Sequence, residues 1–164
     1  VVNTDNSLEK IELSKNRKGN GDVIFADFYI ENNDKNIIDS IITGEDLTLV
    51  FKLKTRKNNL DNIDIGFSFH DAYNDNLTNL YSSYQNMTYS FQEEGYHTVK
   101  CKIPHFPLSA STILVKGLIK SNNEILDWPQ NILGKIFVEA GDFYRTGKIN
   151  NDFKANFLIS GIWV

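Results

Sequence analysis

A chain of 164 residues with 41% hydrophobic residues is long enough to bury the core of one domain. Its formal net charge of −4 and pI near 5.3 argue against a nucleic-acid partner, because phosphate-backbone binding rests on clustered Lys and Arg. The single cysteine, Cys101, rules out an intrachain disulfide, and no apolar run approaches the ~20 residues of a membrane helix, so the expected setting is a soluble, cytoplasmic domain.

Residues 1–20 are polar and close on KNRKGNG, which reads as a linker. From there the apolar period is two. In GDVIFADFYIEN (21–32), Ile24, Ala26, Phe28 and Ile30 share one face; in LTLVFKLKTR (47–56), Leu47, Leu49, Phe51 and Leu53 alternate with Thr48, Val50, Lys52 and Lys54. IDIGFSFHDA (63–72) turns Ile63, Ile65, Phe67 and Phe69 inward and Asp64, Gly66, Ser68 and His70 outward. YHTVKCKI (96–103) turns His97, Val99, Cys101 and Ile103 inward, and 112–121 and 133–140 supply two more strands. Turn chemistry separates them: NNDKN, TGED, RKNNLDN, EEG and SNNE. No segment holds a helical apolar spacing for about ten residues. Roughly seven to nine strands joined by short turns predict an all-β fold, an antiparallel β-sandwich. Without a Cys…Trp…Cys signature it is not the antibody variant.

His70, Asp71, Asn74, Asp75 and Asn76 gather oxygen and nitrogen ligands in one short stretch. Ala72, Tyr73 and Leu77 interrupt the alternate spacing of a calcium loop and no Gly follows, so the stretch reads as a polar turn. His70, His97, His105 and Cys101 fall on different segments without a paired-ligand spacing, and no metal is indicated. Asp71, Asp75, Glu93, Glu94, Glu124 and Asp127 are read at strand ends and turns, where charges are solvated, which disfavours a carboxylate pair across a cleft. There is no G-x-S-x-G elbow, Cys101 points inward as packing, and GNGD lacks the lysine and helix of a phosphate loop. The expectation is a non-enzyme without cofactor.

What remains is a polar-aromatic surface. Sugars offer hydroxyls to amide and hydroxyl side chains and apolar C–H faces to aromatic rings. Ser68, His70, Tyr73, Asn79, Tyr81 and Tyr84 surround one hairpin, with Ser83 and Tyr89 nearby, and Lys116 and Trp128 reach the same sheet from neighbouring strands. In TNLYSSYQ the alternation gives Asn79, Tyr81 and Ser83 to one face and Leu80, Ser82 and Tyr84 to the other, so one set faces outward.

The order of the pieces carries a resemblance: S-x-x-x-G-E-x-L-x-L at 40–49, G-F-S-x-x-D at 66–71, I-P-x-F-P-L at 103–108 and GDFY…G at 141–147. From about Gly19 to Val164 the chain resembles the C-terminal carbohydrate-binding domain of the ATP-binding subunit of bacterial O-antigen polysaccharide exporters, the Wzt-like family. The resemblance implies an immunoglobulin-like or jelly-roll sandwich over 21–152 and a linker to a nucleotide-binding domain over 1–20. It implies recognition of the modified non-reducing end of the O-polysaccharide glycan before export, in the cytoplasm and peripheral at the inner membrane beside the transporter's membrane subunit. It also implies a homodimer that exchanges the C-terminal strand, here 153–164, across a hinge at 141–152. The family pattern fixes no binding residues, so those named above rest on strand faces. The alternative reading is a structural dimerisation module of the transporter ATPase without glycan contact.

Overall fold

The computed structural model describes residues 10–149 and 155–164. Twelve strands follow one another: β1 (Arg17–Lys18), β2 (Val23–Glu31), β3 (Ile37–Ile38), β4 (Ser40–Ile42), β5 (Leu47–Thr55), β6 (Leu60–His70), β7 (Asn76–Tyr81), β8 (Tyr89–Phe91), β9 (Gly95–Ile103), β10 (Ser111–Ser121), β11 (Glu124–Pro129) and β12 (Gly134–Glu139). Two 3-10 turns, Ile11–Leu13 and Ser82–Gln85, are the only helical pieces among the described residues. None is long or apolar enough to cross a membrane. The strands beyond the expected number are mostly β1, β3, β4 and β8, whose two or three residues are too few for an alternation to register.

The expected all-β sandwich is what forms. β10 is the axis of the larger sheet: β6 pairs along one edge, while β12 and β11 share the other. β7 and β8 continue beyond β6, β1 beyond β11, and β4 beyond β12. The smaller sheet runs β3-β2-β5-β9. Every pairing is antiparallel except β4 with β12, which is parallel.

Between the sheets, Leu49, Phe51 and Leu53 of β5 meet Ile63, Ile65, Phe67 and Phe69 of β6 and Ile113, Val115 and Ile119 of β10. A run of rings threads this layer. Phe25 and Phe51 lie 5.9 Å apart, Phe51 and Phe67 5.9 Å, and Phe67 and Phe69 5.1 Å. Phe51 is buried at the centre, and its truncation to alanine would cost about 3–5 kcal/mol through lost burial and an unfilled cavity.

In β2 the expected face is corrected. A bulge between Phe25 and Asp27 shifts the phase, so Phe25 stands opposite Leu53, Phe28 opposite Phe51 and Ile30 opposite Leu49. Val23, Phe25 and Ile30 therefore belong to the core, while Ile24 and Ala26 do not join it. Ile24 is nonetheless buried, and the 3-10 turn at Ile11–Leu13 packs against β2.

Of the segment expected as a linker, residues 1–9 lie outside the described residues, and residues 10–20 lie against the sandwich. Arg17 and Lys18 pair with Pro129 and Trp128. Gly19, at φ +116°, passes so close to β11 that a Cβ would sit 2.4 Å from the Leu126 carbonyl oxygen. Of the expected hinge and exchanged strand, residues 150–154 lie outside the described residues.

Candidate functional site

The inward set of β6 builds the core, so its outward set (Asp64, Gly66, Ser68 and His70) must build a surface. Register lays that surface out in rows across three strands. Leu118, Gly66 and Tyr81 form one row; Lys116, Ser68 and Asn79 the next; Leu114, His70 and Asn76 the third. On the far edge of β10, β12 leaves at Val115 and β11 joins at Ile119, so Lys116, Gly117 and Leu118 have no strand partner on that side. A groove of about 300 Å3 opens there, walled by Tyr81, Asn79, Ser68 and His70 on one side and by Lys116, Trp128 and Gln130 on the other. A second depression of about 450 Å3 adjoins it and shares Lys116 and Gln130.

Six of the expected residues thus line one groove: Ser68, His70, Asn79, Tyr81, Lys116 and Trp128. The other two do not. Tyr73, 89% exposed, stands on the turn between β6 and β7, and Tyr84, 64% exposed, lies on the 3-10 turn after β7.

Tyr81 is held from below and from the side. A Cβ on Gly66 would come 2.3 Å from two Tyr81 ring carbons, so the ring lies on the bare backbone of that glycine. Lys120 Nζ sits 4.7 Å from the ring centroid and Tyr84 packs at 5.3 Å. Burial pushes the Tyr81 phenol upward, and Tyr84 and Asp64 act in the same direction, so its hydroxyl remains a donor at neutral pH.

Asp64 governs how the chain continues. Its carboxylate accepts hydrogen bonds from Ser82 Oγ at 3.1 Å, Ser83 N–H at 3.0 Å and Ser83 Oγ at 2.6 Å, with Lys120 Nζ at 3.5 Å. Burial opposes its charge, but these donors and Lys120 hold it below the usual carboxylate range. The same bonds bend Ser82–Gln85 into the 3-10 turn. This corrects the alternation read through TNLYSSYQ: it stops at Tyr81, and Tyr84 comes back beside Tyr81 rather than onto the opposite face.

His70 is fixed by two bonds. A carbonyl can only accept, so Nδ1–H donates to Asn74 O at 3.1 Å, and Nε2 then accepts from Ser68 Oγ at 2.8 Å. The neighbouring acids build the turn: Asp71 Oδ1 accepts the N–H groups of Tyr73 and Asp75, each at 2.9 Å, and Asn74 adopts φ +72°. Across the groove Lys18 Nζ lies 5.1 Å from the Trp128 ring centroid.

Asp127 departs from expectation. It is no solvated strand end but a wholly buried residue on β11, accepting Phe25 N–H at 2.8 Å and facing Arg17 at 3.2 Å. Burial outweighs these partners and pushes its carboxyl up to about 6. Cys101 is half-buried on the inward register of β9, and burial pushes its thiol up. Among the described residues no group of three His, Cys, Asp or Glu could hold a metal ion.

Sequence reasoning missed Asn76, Gln130, Gly66 and Asp64. The last two were on the outward list of β6; a glycine and an acid between core phenylalanines and isoleucines were the available signal. Asn76 had been read only as part of the polar turn and Gln130 gave no signal, because a bulge and a strand end place them.

The sequence model of the Wzt C-terminal domain family matches residues 14–134. No curated protein matches the sequence. Among solved structures, the crystal structure of the C-terminal domain of Wzt aligns with a TM-score of 0.70 at 15% identity, covering 90% of this chain and 86% of that one. At that identity the likeness is one of fold. A β-glucuronidase from glycoside hydrolase family 2 aligns at TM-score 0.43 and 13% identity, over 62% of this chain and 10% of its own. The CARDB domain of a Pyrococcus furiosus protein aligns at 0.40 and 8%, over 72% of this chain and 94% of its own. Both are too distant to bear on function.

Proposed function

Because the chain belongs to the Wzt C-terminal domain family, and with it to the apparatus of O-antigen export by an ABC transporter, we propose that it binds the non-reducing end of the O-polysaccharide and selects finished glycan for export. The observation that carries this reading is the groove over β6, β7 and β10, where a tyrosine ring, an indole, three amides, an imidazole, a hydroxyl and an ammonium converge on a space of about 300 Å3. That volume is at the small end of ligand sites and suits a terminal sugar. The adjoining depression has room for the next one.

A pyranose offers apolar C–H faces to the Tyr81 and Trp128 rings, while its hydroxyls exchange hydrogen bonds with Asn79, Asn76 and the Ser68 oxygen. Tyr81 is held by Gly66, Lys120 and Tyr84, and Ser68 by His70, so little side-chain freedom is lost on binding. Tyr84 acts as the brace of Tyr81, and Tyr73 lies outside the contact. The glycan is held and released unchanged, without catalysis. The domain works in the cytoplasm at the inner membrane, tethered through a nucleotide-binding domain of the same chain to the transporter's membrane subunit.

Tryptophan fluorescence titration of the chain with the O-polysaccharide of its producing cell tests this. Saturable binding is expected, with Tyr81→Ala weakening it roughly tenfold, the order of a lost aromatic contact and its burial. No binding at millimolar glycan would sink the reading.

A second reading, dimerisation without glycan contact, is favoured by residues 155–164. Leu158 N–H donates to Pro107 O at 2.8 Å and Phe157 bridges Leu108, after which Ile159, Ile162 and Trp163 stand exposed. An apolar tail of this kind is stabilised when a second copy covers it, which supports a homodimer with exchange of the C-terminal strand. The variant His70→Ala with Tyr81→Ala separates the readings: glycan recognition predicts lost binding with the dimer intact, whereas a pure dimerisation module predicts no glycan binding by the parent chain.

A further inference from the structure

The stretch that carries Trp128, Pro129 and Gln130 along the groove has little hold on the sheet itself. β11 pairs with β10 at Glu124, Ile125 and Asp127, and the chain returns to β10 at Leu133, whose N–H donates to Val115 O at 2.7 Å. Between those points its backbone partner, among the described residues, is the segment ahead of Gly19. Lys18 stands opposite Trp128 and Arg17 opposite Pro129, and Gln130 N–H donates to Asn16 O at 2.9 Å. Lys18 Nζ lies over the Trp128 ring, and Ile11 itself lines the second depression.

That segment, residues 10–18, is held at two points. The Arg17 guanidinium donates to the Asp127 carboxylate at 3.2 and 3.3 Å, to Ser14 O at 3.0 Å and to Ile11 O, so one side chain ties the segment both to β11 and to itself. Glu12 fastens the far end to the smaller sheet, accepting from Lys54 Nζ at 2.7 Å and from the Tyr96 hydroxyl at 2.9 Å. Between these anchors Lys15, Asn16 and Lys18 are exposed, and β1 is two residues long. So short and exposed a ladder opens at a fraction of the free energy that unfolds the core, because few buried contacts open with it.

We infer that residues 10–18 are a strap that couples the groove to the chain ahead of them: docked, they hold Trp128–Gln130 in the wall; lifted, they let the wall go and loosen the glycan. The inference rests on the glycan-binding reading and adds to it a means of release that acts from outside the groove. Arg17 is the latch and a positioning residue, since its guanidinium turns to Asp127 and to its own segment. The coupling is reciprocal: glycan fastens the strap by the same factor by which the strap tightens glycan, about 5–150-fold for linked sites.

Hydrogen–deuterium exchange on the whole chain, with and without native O-polysaccharide from the producing cell, tests this. Saturating glycan slows exchange across residues 10–18 and at the Gln130 amide roughly tenfold. Arg17→Met speeds exchange at the same amides, leaves β5 and β6 protected, and weakens glycan binding by a similar factor. Glu12→Gln loosens the strap away from the groove, so it shifts exchange and affinity in the same direction by less, and it decides the matter if Arg17→Met exposes β5 and β6. An Arg17 that served stability alone would leave exchange in the strap indifferent to glycan. Glycan that binds without slowing exchange at 10–18, or a variant with a faster-exchanging strap and the parent's affinity, would overturn the strap and leave glycan recognition standing. No binding of the native polysaccharide would end both.

Discussion

Asp127 shows how far one side chain's behaviour is set by residues remote in sequence. In ILDWP it looks like the end of a strand, yet Arg17, 110 residues earlier, and the Phe25 amide enclose it. Its carboxyl is pushed from 3.8 up to about 6 by burial. Between those values the folded chain keeps a proton that the unfolded chain releases, so stability falls as pH rises. This contribution is fully present below about pH 4 and is lost as pH passes about 6, about 3 kcal/mol in all. Asp64, held low, pulls the opposite way, but in the more acid range. Urea midpoints recorded from pH 4 to 7 should decline for the parent chain and flatten for Asp127→Asn; a rising parent curve would contradict the assignment. Ser68 and His70 were legible because a period of two assigns outward positions without knowledge of partners; for Asn79 and Tyr81 it left two faces open, and pairing with Ser68 and Gly66 of β6 decides between them. Lys116 and Trp128 were named only as neighbours on the same sheet, and the register of β10 with β6 is what sets Lys116 beside Ser68. Tyr73 and Tyr84 were not legible, since a turn and a 3-10 segment place them, and neither has a period of two.

At the scale of elements, β7 and the turn after it stand or fall with Asp64. Asp64→Ala removes the acceptor of three hydrogen bonds from Ser82 and Ser83 and the partner of Lys120. The expected cost is about 1–3 kcal/mol in urea unfolding, together with loss of the near-ultraviolet signal of the Tyr81–Tyr84 pair while the far-ultraviolet β signal persists. A variant with unchanged near-ultraviolet dichroism would show that the turn does not depend on this carboxylate. Strands β5, β6, β9 and β10 are long, and their alternation announced them. The β2 bulge was hidden, because inserting Ala26 as an unpaired residue leaves no mark in composition and only the facing strand reveals it. The forked edge of β10 was hidden too: β11 leaves it at the Ile119–Asp127 pair and β12 takes it up at the Val115–Gly134 pair, a division that only the paired register reveals.

For the whole molecule, layer architecture followed from the pattern, but strand order did not. Pairings such as β6 with β10, β1 with β11 and the parallel β4 with β12 join segments distant along the chain. Packing of the two inner faces selects them, and local sequence does not encode that choice. The oligomer belongs to this scale. Deleting residues 153–164 removes Ile159, Ile162 and Trp163, and the dimer proposed above should give way to monomer or aggregate in multi-angle light scattering; an unchanged dimer would refute strand exchange. The alternation of β6 has a consequence for how such domains diversify. Phe67 answers to the interior and Ser68, its neighbour in the chain, to the groove, so the two can be rewritten independently. Selection can therefore re-letter the outward positions of β6, β7 and β10 for a new ligand while the interior stays untouched. An engineer can use the same separation, treating the sandwich as a fixed chassis whose groove is a small, freely editable alphabet.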